Sequence, residues 1–145
     1  MFFAIYKEEY QGIHPKTHFM KRILLLSILG LFMTSVRAQS DVESIVSAFK
    51  SADAGQIGNY FDEYVDMKLL EKDEVKNVGR TQATITLKTF FADNNIKGFE
   101  KTSEREIGNT MYLAGKLLNS GKGQNITIML KLKDGKRQII TLRIS

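Results

Sequence analysis

The sequence predicts an α+β domain, N-terminal helices packed on a curved antiparallel sheet, and three observations carry that prediction. Apolar residues recur at helical spacing from Val42 onward, four strand-like runs follow Phe99, and an Asp134-Gly135 pair joins the last two runs as a tight hairpin would. The order, helices first and a meander after, is that of a helical layer on one sheet face. With 43% hydrophobic and 26% charged residues over 145 positions, the composition is that of a folded protein. The chain has no Cys, so it offers neither disulfides, thiolate ligands nor a thiol nucleophile.

Met20-Lys21-Arg22 precedes Ile23 to Val36, 14 residues without a charge, and Val36 and Ala38 occupy the small-residue positions before a cut between Ala38 and Gln39. A basic start, a short apolar core and small residues at the cut are the parts of a secretory signal peptide. The run is too short to span ~30 Å of hydrocarbon. Residues 20–38 are therefore expected to be a signal peptide, and residues 1–19 an extension ahead of the true start at Met20. Residues 39–145 are expected to be a single domain, located in the periplasm or outside the cell.

Removing the leader changes the charge. The formal +5 of the whole chain falls to +2 over the 107 residues from Gln39 to Ser145. Residues 41–74 carry −6 and residues 107–145 carry +6, so the chain is polarised but nearly neutral, which argues against a nucleic-acid partner. Both His residues, His14 and His18, precede the cut, which leaves the mature chain without an imidazole base or ligand.

Asp41 reads as an N-cap, and Val42, Ile45, Val46 and Phe49 form one helical stripe. Ile57, Tyr60, Phe61 and Tyr64 resume that spacing as a second helix after Asp53-Ala54-Gly55. Val65, Met67 and Leu69 alternate as a first strand, and Glu71 to Gly79 reads as a polar link. Thr81 to Phe91 fits both periods, and its Thr and Ile content favours strand. Four strand-like runs follow: Phe99–Glu106, Thr110–Leu118, Gln124–Lys133 and Lys136–Ile144. Ile126, Ile128, Leu130 and Leu132 are expected on the core face, joined by Ile140, Leu142 and Ile144.

The segments RTQATITLKTFFADNNIKGFE and MYLAGKLLNSGKGQNITIMLKLKDGKRQIITLRIS carry a family likeness. Gln82-Ala83, Phe90-Phe91 ahead of an Asn-rich link, Gly115 and the closing Ile140 to Ile144 resemble a family of small exported bacterial domains of unknown function. Their fold is the nuclear transport factor 2-like, or cystatin-like, cone. The resemblance implies that Thr81 to Asp93 is a helix in the concavity of the sheet, and that a pocket can lie between sheet and helices.

On that reading Tyr60, Phe90, Phe91 and Tyr112 are the candidate pocket lining for a small apolar or amphipathic ligand, with aromatic core packing as the competing role. Asp62, Asp66, Glu104 and Glu106 are the carboxylates an enzyme of this shape would draw on, but no His accompanies them. The function expected is therefore noncatalytic binding, without cofactor or metal and without a membrane span after signal cleavage. The alternative is a homodimer or protein-interaction module using Met129, Lys131, Thr141 and Arg143 on the outer sheet face; a His-free hydratase or isomerase stands behind both.

Overall fold

The computed structural model of the chain describes residues 36–145. The expected extension 1–19, and the expected leader as far as residue 35, lie outside the described residues. Helix α1 (Val36–Lys50) lays Val42, Ile45 and Phe49 into the core, the stripe their spacing predicts. Asp41 is not its cap, because the helix starts before it. Instead the Asp41 carboxylate accepts from the backbone N–H of Arg137 at 3.4 Å.

Helix α2 (Ala54–Gly58) begins at Asp53, whose side chain accepts from the Gln56 N–H at 3.1 Å. It is shorter than predicted. Phe61 already opens strand β1 (Phe61–Leu69), where it is fully buried beside Ile139, so sheet pairing overrides the helical spacing of Tyr60, Phe61 and Tyr64. Strand β2 (Val75–Gly79) then folds back on β1 within the stretch that reads as a polar link.

Helix α3 (Arg80–Asp93) resolves the ambiguous segment in favour of the helix. Ala83, Leu87, Phe90 and Phe91 are buried along one stripe, while Ile85, which a strand would bury, is 53% exposed. Gly58 abuts this helix so closely that a Cβ there would lie 2.9 Å from Thr84 Cγ2. Strands β3 (Gly98–Ile107), β4 (Thr110–Leu118), β5 (Gln124–Lys133) and β6 (Lys136–Ile144) complete the chain. The last three match the sequence runs residue for residue.

The sheet order is β2-β1-β6-β5-β4-β3. β1 runs parallel to β6 and the remaining neighbours are antiparallel, so the curved sheet is mixed. Helices cover one face, α1 against β3 and β6 and α3 against β1 and β2. One core assignment changes. Met129 pairs with Thr141 and Leu130 with Ile139, which leaves Ile140 unpaired in a bulge and puts the fully buried Ile139, not Ile140, into the core. Gly115 lies under the Phe99 ring, which packs 5.5 Å from that of Phe49; a Cβ at Gly115 would strike that ring and approach Glu100 O to 2.5 Å. Among the described residues no helix is long and apolar enough to cross a membrane.

Candidate functional site

The β1–β2 end of the sheet does not close on α3. β1 brings Met67 and Leu69 to its inner face by the alternation that buries Val65, and β2 brings Val75 and Val78 across from them. α3 adds Gln82 and Thr86, one helical turn apart, with Gln82 Nε2 donating to Thr86 Oγ1 at 3.3 Å. Together with Lys72 and Asp73 they line a partly open pocket of about 230 Å³. Four aliphatic or thioether side chains form most of the wall; one amide and one hydroxyl supply hydrogen-bonding groups, and one cation and one anion complete the lining.

Several contacts hold the β2 wall in place. Leu70 takes a left-handed backbone (φ 54°) where β1 ends, and its N–H donates to Ile144 O at 2.7 Å. The Asn77 N–H donates to Asp66 Oδ1 at 2.9 Å, beside the bulge between Val65 and Met67. Glu74 Oε1 accepts from Arg143 Nε at 3.0 Å and from Nη2 at 2.9 Å.

Two larger depressions are open surface grooves. One, of about 700 Å³, lies between α1 and β3 with Glu43, Lys50, Glu100 and Lys101 among its walls. The other, of about 660 Å³, lies between α2 and α3 beside Asp53 and Lys88. The four charged residues in the wall of the first suit water better than an apolar guest.

The residues singled out in the sequence do not form one lining. Phe90 and Phe91 come together in the core, with Phe91 also reaching the groove between α2 and α3. Tyr60 is half-buried against the core, and its carbonyl accepts from the Ile139 N–H at 2.7 Å. Tyr112 alternates with the buried Met111 and Leu113, and so lies on the opposite sheet face, between Arg105 and Met129.

Nor do the four carboxylates line the cavity. Asp62 pairs with Lys133 at 2.5 Å, Glu104 with Lys101 at 2.7 Å and Glu106 with Arg137, while Asp66 accepts from Asn77. Burial raises the pKa of the Asp62 carboxyl, but the Lys133 hydrogen bond, the Glu63 N–H and the charges of Lys133 and Arg80 outweigh it, so the group lies below the ordinary carboxylate range. The cavity residues themselves escaped the sequence reading. Met67 and Leu69 carry a legible strand signal, but Val75 and Val78 sit among polar neighbours, and nothing local pairs them with Gln82 and Thr86.

The sequence profile of DUF4783, a domain of unknown function, matches residues 42–145. No curated protein matches the chain. Among solved structures the chain is similar to a DUF4783 family protein from Bacteroides ovatus ATCC 8483, at 21% identity and TM-score 0.65, over 70% of this chain and 90% of that one. It is also similar to an NTF-2 like protein of unknown function from Burkholderia xenovorans LB400, at 12% identity and TM-score 0.58, over 78% and 84%. A cystatin fold protein from Novosphingobium aromaticivorans aligns at 10% identity and TM-score 0.55, over 73% and 95%. At these identities the likenesses establish a shared fold, the cone of helices on a curved sheet.

Proposed function

The chain belongs to the DUF4783 family, a domain of unknown function with a nuclear transport factor 2-like fold, and on that premise we propose that it is an exported, noncatalytic domain. It holds a small apolar or amphipathic molecule between α3 and the β1–β2 end of the sheet. The observation that carries this reading is the pocket itself, lined by Met67, Leu69, Val75 and Val78 together with Lys72 and Asp73. At about 230 Å³ it is smaller than the several hundred Å³ of a drug-sized site, which favours a short chain or a single ring. Burying the apolar part of such a guest contributes about 25 cal/mol per Å² before the costs of association.

Export rests on the leader. The buried stripe of α1 begins at Val42 and the family match at residue 42, so cutting after Ala38 removes none of the described core. The noncatalytic reading is supported by the placement of Asp62, Asp66, Glu104 and Glu106 away from the cavity, each already hydrogen-bonded or ion-paired.

Native mass spectrometry of the chain purified from its exporting host tests both parts. The expected spectrum has Gln39 as first residue and a retained small molecule that is absent from a Val78→Trp variant, whose indole fills the cavity. A chain that keeps its leader defeats export. A ligand-free chain that also takes up no added short-chain alcohol defeats binding.

A further inference from the structure

Strand β3 ends the sheet on the side away from the pocket, and among the described residues no strand lies beyond its ten residues, Gly98–Ile107. An edge of that length offers its outward N–H and C=O groups to any extended chain, and folds guard such edges with charge and with bulges. β3 has both. Glu100, Lys101, Glu104 and Arg105 are exposed, and a bulge at Thr102 interrupts the pairing with β4 between Lys101 and Ser103. The order of these charges is its own complement. Laid antiparallel on itself with Thr102 facing Ser103, the stretch sets Glu100 opposite Arg105 and Lys101 opposite Glu104, each pair occurring twice.

We propose that the β3 edge pairs antiparallel with the β3 edge of a second copy, about a two-fold axis perpendicular to the sheet at Thr102 and Ser103, so that the two sheets run on as one. In a regular strand this register fails, because residues an odd number apart point to opposite faces. The bulge removes that obstacle. Lys101 and Glu104 lie opposite Gly115 and Leu113, two residues apart on β4, so both point inward; Glu100 and Arg105 lie opposite Lys116 and Tyr112, so both point outward. The ends of the strand fit as well. Ile107 falls opposite the partner's Gly98, which pairs with Leu118 and has no side chain to screen it, so two exposed apolar side chains, Ile107 and the partner's Leu118, come together. Lys101 and Glu104, already paired at 2.7 Å within one copy, join their counterparts in a four-charge network. The charges that turn away a foreign strand therefore select this one.

Sedimentation equilibrium of the purified chain is expected to show a dimer. Arg105→Glu and Glu100→Arg each place like charges opposite one another twice, and each weakens association by about tenfold or more. The double variant carrying both substitutions restores it, which a merely damaged fold does not do; unchanged melting temperatures of the dilute single variants make the same point. Because the chain has no Cys, single cysteines report the register. Thr102→Cys lies roughly 6 Å from its copy and is expected to form an intermolecular disulfide under mild oxidation, whereas Ile107→Cys, roughly 26 Å from its copy, is expected not to. A chain that stays monomeric at high micromolar concentration overturns the proposal. So does a dimer that both single charge reversals leave intact, one that the double variant fails to restore, or one that links through Ile107→Cys as readily as through Thr102→Cys.

Discussion

From β3 to β6 each strand follows its neighbour along nearly its whole length, whereas β2 meets β1 at three register positions interrupted by a bulge. The inner residues of the first region, such as Leu113, Ile128 and Leu130, are completely buried. In the second, Val75 is 58% exposed, Leu70 and Asn77 hold left-handed backbones, and a cavity remains. The meander spends its side chains on closing the core. The β1–β2 end keeps apolar side chains at the edge of a space they do not fill, a departure from local regularity of the kind that folds tolerate at sites under another constraint.

Substitutions can sharpen or break that contrast. The largest expected effect is in the meander, where Ile128→Ala leaves a cavity and lowers stability by about 2 to 5 kcal/mol in urea unfolding. Gly115→Ala comes next. Its methyl group must displace the Phe99 ring and crowd Glu100 O, for a loss of about 1 to 3 kcal/mol and a melting point lower by several degrees. At the other end, Val75→Ala removes a largely exposed side chain and is expected to change stability by no more than ~0.5 kcal/mol while weakening ligand uptake. If Val75→Ala proves as damaging as Ile128→Ala, the two regions are equally packed and the contrast fails.

The smallest effect concerns pH. Since the folded Asp62 carboxyl sits below the ordinary range, its pair with Lys133 stabilises the fold above that range and is lost as acid takes the pH down through the lowered value. Asp62→Asn should therefore cost under ~1 kcal/mol at neutral pH, and the difference from the parent chain should vanish in strong acid. Urea titrations at two pH values check this.

The same contrast separates what was legible in the sequence from what was not. β4, β5 and β6 alternate cleanly, and Asp134 (φ 50°) and Gly135 (φ 74°) make the turn that the pair predicts, so those bounds follow from pattern alone. The bulge at Ile140 escapes, because adjacent Ile139 and Ile140 look equally apolar and only pairing with β5 decides between them. α3 needs its tertiary setting: the stripe Ala83, Leu87, Phe90 and Phe91 wins over Thr and Ile propensity because it faces the sheet. The cavity is least legible, since its wall joins β1, β2 and α3, and no local rule links Val78 to Gln82. The four residues expected to line a pocket lie apart from this wall: Phe90 and Phe91 in the core, Tyr60 half-buried against it and Tyr112 on the outer face.

Methyl-resolved NMR during titration with a short-chain fatty alcohol tests the central claim most directly. The expected result is saturable movement of the Met67, Leu69, Val75 and Val78 methyl signals, with Leu113 and Ile128 unmoved. No saturable shift, or shifts confined to Val46 and Leu118 in the groove between α1 and β3, would contradict it.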